Sequence, residues 1–179
     1  MFNREKLDWM NGVYLRRLST EEFADKATTF LERDLPASVP RPLDKSYVRE
    51  IALLLQERVK RLGDLAELAE FFFVQDLHYE PELLLGKGLD AATALAAAGI
   101  ALERLRAIEP WDAGSLEDTL RPLAAELRLR TRDFFGLLRV AITGRTAAPP
   151  LFETMSVLGR TACLDRLRMA VERLERLQR

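Results

Sequence analysis

Apolar side chains recur at spacings of three and four along almost the whole chain, and only an α-helix turns that spacing into one buried face. Leu7, Met10, Tyr14 and Leu18 form one such stripe, and Phe23, Ala27, Phe30 and Leu31 a second. Val48, Ile51, Leu55, Val59 and Leu62 form a third, while Leu164, Leu167, Val171, Leu174 and Leu177 line the last segment. No stretch alternates apolar and polar residues as a half-buried strand would. The expected fold class is all-α.

The punctuation between stripes predicts where helices begin and end. Ser19 followed by Glu22 reads as a capping box. Pro36, Pro40 and Pro42 forbid regular helix and form a connector, after which Asp44 can cap a long helix running through Leu62. Gly63 interrupts it, and a helix over residues 65–73 follows. Pro81 can start a short helical turn that Gly86 and Gly88 end, and residues 89–105 are alanine-rich and strongly helix-prone. Beyond Pro110, Ser115 with Asp118 is a second capping signature, for a helix through Leu127. Residues 132–142 continue the pattern up to Thr143 and Gly144, Pro149 and Pro150 open a helix to Leu158, and the last helix starts at Thr161. The mixed segment 74–88 divides the chain into two packed helical subdomains, residues 1–80 and 81–179. Of the consecutive Phe71, Phe72 and Phe73, two are expected in the core and the third against the neighbouring subdomain, the less favoured alternative being a platform on which bases stack.

The residues offer no catalytic machinery. Composition is 48% hydrophobic and 31% charged, which suits a folded helical protein rather than a disordered one. The single cysteine, Cys163, excludes an internal disulfide, fits a reducing compartment and sits in an apolar helical pattern as a small core residue. His78 is the only histidine and has no second ligand at helical spacing, so no metal site is expected. Gly86-Lys87-Gly88 lacks the strand–loop–helix setting of a phosphate loop, and Ser46 and Ser156 have no base beside them. No run approaches the roughly 18 apolar residues of a membrane span, and the amino terminus lacks the apolar core of a signal peptide. A soluble, cytoplasmic chain is expected.

Charge is unevenly spread. Residues 1–61 hold 12 basic and 10 acidic side chains, residues 62–120 hold 3 and 12, and residues 121–179 hold 12 and 6, all 12 of them arginine. Most of these arginines suit solvated helix faces. Two flank a turn at residues 138–153, where Arg139 and Arg145 bracket a helix end and Pro149, Pro150 and Leu151 begin the next helix. Backbone donors at a helix start beside guanidinium groups suit phosphates and splayed single-stranded bases. An ordinary helix–helix connector fits the same residues.

The wording of that turn carries more. Leu138-Arg139-Val140-Ala141-Ile142-Thr143-Gly144, then Pro149-Pro150-Leu151-Phe152-Glu153 and Leu158-Gly159-Arg160, resembles the LRVAVTG…SPPLFE…LG segment in the anticodon-binding C-terminal domain of bacterial-type glutamyl-tRNA synthetases. Residues 6–16, KLDWMNGVYLR, with Leu18-Ser19, are similar to the stretch that follows the catalytic half of those enzymes. Gln56-Glu57-Arg58-Val59-Lys60 and Trp111 also fall where the family has similar residues. The resemblance covers essentially the whole chain. It implies a helical cage that binds the anticodon loop of tRNA(Glu), with the partner catalytic domain upstream and ATP and magnesium handled there, no cofactor in this segment, and a monomeric state. It assigns anticodon contacts to Arg58, Arg139, Ala148, Pro149 and Leu151, and Arg145 joins them as the second arginine flanking the turn. Two positions depart from the family pattern: Ala148 stands where a Ser or Thr is usual, removing a hydroxyl, and Leu137 where many members have proline. A free-standing synthetase-derived module that binds RNA or protein is the alternative.

Overall fold

The computed structural model describes residues 4–178, the side chain of Arg4 excepted. Met1 to Asn3, read above for a leader, lie outside the described residues. Among those described there are nine α-helices and two short 3-10 turns, with no strand. Among the described residues no helix is long and apolar enough to cross a membrane. The chain divides into two compact units, Met1–Val74 and Gln75–Arg179. The sequence put the division after residue 80. Residues 75–80 go instead with the second unit, where Arg173 Nη2 donates to the Leu77 carbonyl (2.7 Å) and the guanidinium lies 4.2 Å from the Tyr79 ring centroid.

The first unit contains α1 (Arg4–Arg17), α2 (Thr20–Asp34), α3 (Lys45–Leu55) and α4 (Leu65–Phe73). Ser19 and Glu22 form the capping box of α2: Ser19 Oγ accepts from the Glu22 amide (3.2 Å) and the Glu22 carboxylate accepts from the Ser19 amide (2.9 Å). Those hydrogen bonds hold the Glu22 carboxyl below its ordinary range. The proline-rich connector that follows is short of backbone donors. Arg41 supplies them, donating to the carbonyls of Glu32 (3.1 Å), Leu35 (2.7 Å), Pro36 (2.8 Å) and Val39. Phe23, Leu31, Val48, Ile51, Leu55, Leu65 and Phe71 are buried as the core between α2, α3 and α4.

Three expectations change in this unit. The helix capped by Asp44 stops at Leu55 rather than Leu62; a turn follows, and Val59 reaches the core from it. At that turn Gln56 Nε2 donates to the carbonyls of Leu15 and Leu18 (2.9 Å each), tying the end of α3 to the end of α1. Leu7, Met10 and Tyr14 are not core residues but exposed, and Leu15 is the buried side chain of α1. Phe71 and Phe72 are buried as expected, whereas Phe73 meets the ring of Tyr47 in its own unit, edge-on at 5.7 Å.

The second unit holds α5 (Ala91–Arg106), α6 (Ala113–Glu126), α7 (Thr131–Thr143), α8 (Leu151–Leu158) and α9 (Arg160–Leu177). Ala94, Ala97, Ala98 and Ala101 give α5 a smooth face, and α9 lies along it with Cys163, Leu167, Ala170 and Leu174. The cap of α6 is Asp112 rather than Ser115: its carboxylate accepts from the Ser115 amide at 2.8 Å, which moves the helix start three residues earlier. Burial pushes the Cys163 thiol up to about 12 against the weaker opposing pull of Arg166, so it stays protonated at neutral pH. Native protein should leave this cysteine unmodified by Ellman's reagent at pH 8, with one thiol titrating after guanidinium unfolding; fast native labelling would show that the α5–α9 layer opens.

Candidate functional site

Five of the six residues singled out by sequence converge on one corner of the second unit. Arg139 lies on α7, Arg145, Ala148 and Pro149 on the loop of residues 144–150, and Leu151 is the first residue of α8. Gly144 makes the corner. It takes a left-handed conformation (φ 71°) as the C-cap of α7, its amide donating to the Val140 carbonyl at 2.8 Å. A Cβ there would also come within 3.3 Å of the Tyr79 ring, so only glycine fits both demands.

The last carbonyls of α7 need donors, and two side chains provide them. Thr143 is buried, with its hydroxyl donating to the Arg139 carbonyl (2.8 Å) and accepting from the Arg145 amide (3.2 Å). Arg166 on α9 is 5% exposed and donates from Nη1 to the Ile142 carbonyl at 2.8 Å. On the far side of the loop, Pro149, Leu151 and Phe152 are buried, and Phe135 meets Phe152 edge-on at 5.2 Å. Trp111 Nε1 donates to the Met155 carbonyl (3.0 Å), which fixes α8 from the α5–α6 connection.

This framework leaves a defined polar surface. Arg139 and Arg145 are partly exposed, Ala148 is partly exposed between them and the buried Pro149, and Thr146 and Ala147 are exposed. The amino end of α8 has Pro150 as its N-cap, and no side chain caps its first amides. Glu153 is the one acid in that first turn. Two guanidinium groups beside a helix start can bind an anionic backbone or hydrogen-bond a base edge.

Arg58 belongs to the first unit. It stands in the turn after α3, where its amide donates to the Leu55 carbonyl (2.8 Å) and its side chain is exposed. Nearby Arg49 and Arg61 are committed to ion pairs with Glu21 (2.5 Å) and Asp64 (2.9 Å), whereas the Arg58 guanidinium has no such partner among the described residues. Sequence reasoning missed the supporting residues. Thr143 before Gly144 was a readable signal for a hydroxyl-closed helix end; Arg166 had none, being one arginine among the twelve that follow residue 120.

Residues 22–171 match the family of anticodon binding domains, most of the chain. The chain belongs to that family. A glutamate–tRNA ligase of Dehalococcoides mccartyi is 48% identical over 177 residues, which is 99% of this chain and 36% of that protein. One from Roseiflexus castenholzii is 46% identical over 171 residues, covering 95% of this chain and 34% of the other. The chain thus spans about a third of the length of these curated relatives. The solved structure of a glutamate tRNA ligase from Elizabethkingia meningosepticum, in complex with its amino acid, superposes with a TM-score of 0.79 over 96% of this chain and 32% of that one. At 18% identity that likeness speaks for the fold alone.

Proposed function

We propose that this chain is the anticodon-reading part of a glutamate–tRNA ligase. In this reading it grips the anticodon loop of tRNA(Glu) while a linked catalytic domain attaches glutamate using ATP and magnesium. What supports this most is the 48% identity to such a ligase across 99% of the chain, with the matching LRVAITG…PPLFE residues on one braced corner. Arg139 and Arg145 reach the loop nucleotides, the uncapped start of α8 takes a phosphate or base edge, and Pro149 and Leu151 hold the turn. Ala148, lacking a hydroxyl, offers only van der Waals contact to the base beside it. Arg58 hydrogen-bonds one anticodon base, as the unpaired guanidinium of a turn is free to do. The chain works in the cytoplasm as a monomer, and the ATP and magnesium chemistry lies outside these residues.

The test is filter binding of a tRNA(Glu) transcript and of transcripts altered singly at each anticodon position. Affinity should fall steeply with salt, as phosphate contacts release counterions. Arg58→Gln should flatten the preference at one anticodon position by about tenfold, the worth of roughly 1–3 kcal/mol for a bidentate base contact. An equal loss on every transcript would make Arg58 a phosphate contact, and tight binding to all tRNAs regardless of anticodon would sink the reading.

A further inference from the structure

The helix α1 carries an apolar surface that the described residues leave uncovered. Leu7 is 43% exposed, Trp9 64%, Met10 53% and Tyr14 58%. Elsewhere the large exposed apolar side chains, Leu53, Leu83 and Ile100, are scattered singly over three other segments. Four within eight residues of one helix make a patch of the kind that marks an interface. The helix is nevertheless held in place: Leu15 is buried, Gln56 grips the carbonyls of Leu15 and Leu18, and Asp8 lies 3.9 Å from Arg61. It is held by Leu15 and Gln56 at its carboxyl end and by the Asp8–Arg61 contact nearer its start, while its apolar side chains stay exposed.

The angular spread of the patch says what kind of partner fits. At about 100° per residue, Leu7, Met10 and Tyr14 fall within a sector of about 60°, while Trp9 lies about 100° or more from each of them. A second copy of α1, or any single flat face, would cover the three and leave Trp9 in water. The helix suits a concave apolar seat that encloses it from two sides. The curated relatives carry about two thirds of their length beyond the part this chain matches, and the match falls in their C-terminal third. The chain that leads into α1 in those proteins is the end of that larger part.

We propose that Leu7, Trp9, Met10 and Tyr14 seat α1 in an apolar groove of the catalytic part of a glutamate–tRNA ligase. The inference rests on the functional reading above and deepens it. Docked in this way, the braced end of α1 transmits the orientation of the catalytic part to the turn that carries Arg58, through Gln56.

A chimera tests it, with residues 1–179 replacing the C-terminal third of the Dehalococcoides mccartyi ligase. Charging of tRNA(Glu) establishes that the chimera is assembled, and amide hydrogen exchange is then compared with that of the isolated chain. Exchange across residues 7–14 should be at least tenfold slower in the chimera. The double variant Trp9→Glu/Tyr14→Glu should restore fast exchange and lower kcat/KM for tRNA, while Leu53→Glu, at a similarly exposed site outside α1, changes neither. In the isolated chain the double variant should melt as the parent does and bind an anticodon stem-loop RNA with unchanged affinity. Equal exchange in chimera and isolated chain overturns the docking proposal, as does concentration-dependent protection with a dimer mass in the isolated chain. Failure of the isolated chain to bind the stem-loop, with protection in the chimera intact, would instead count against the functional reading and leave the docking surface standing. A chimera that cannot charge while the isolated parts fold normally counts against the seat, since the groove then does not accept this helix.

Discussion

Arg139→Ala should weaken binding of tRNA(Glu) roughly 10- to 100-fold, the worth of about 1–3 kcal/mol for a guanidinium that reads a base edge. The size of the effect follows from how the residue is held. Arg139 is partly buried on α7, and its carbonyl accepts the hydroxyl of Thr143 in the turn that Gly144 closes. A main chain fixed there and a side chain already partly buried leave less conformational freedom to lose on binding. Arg139→Lys keeps the charge but not the planar fork, and should recover only part of the loss. Filter binding at two salt concentrations separates the outcomes: a phosphate contact would be rescued by lysine and would reduce the salt slope by about one. An Arg139→Ala protein that binds as the parent does, with an unchanged melting temperature, removes Arg139 from the site.

The largest stability effect is expected at Phe134→Ala. The ring is fully buried in the second unit, and it packs against Phe135 at 5.7 Å, which in turn meets Phe152 of α8 at 5.2 Å. Truncating a buried phenylalanine costs about 3–5 kcal/mol in transfer and cavity terms. For a unit of this size that lowers the melting temperature by more than about 10 °C. The loss should also exceed that of Phe135→Ala, whose ring is only partly buried. Thermal unfolding followed by circular dichroism reads both variants, and a Phe134→Ala protein within a few degrees of the parent would show that the aromatic row does not brace the loop.

Helix identity was legible because it is local. The bounds of α4 could be read from Gly63 and the apolar run, and the Ser19–Glu22 box from two residues three apart. What failed needed information from elsewhere in the fold. Ser115 looked like a cap because it has the right side chain, but Asp112 stands three residues earlier and a carboxylate there takes the Ser115 amide. Val59 keeps helical spacing from Leu55 yet reaches the core from a turn, beside a glutamine bonded to carbonyls about forty residues back. The stripe on α1 was read correctly as apolar, and periodicity says nothing of what covers it. The candidate loop itself was legible only through its resemblance to a family. Spacing alone allowed a plain connector, and of its braces only Thr143 bonds locally, while Arg166 and Trp111 form contacts that no local pattern encodes.

The Arg166 brace has a practical consequence for anyone wishing to redirect this protein to another anticodon. The guanidinium is buried behind the loop, on α9, and acts on the Ile142 carbonyl rather than on the surface. Trp111 holds α8 from a third direction. A mutant library confined to the exposed face would therefore sample new side chains on an unchanged backbone. On the proposed reading of this loop, selection for altered specificity should reach further if positions 111 and 166 vary too, because they hold the backbone behind it.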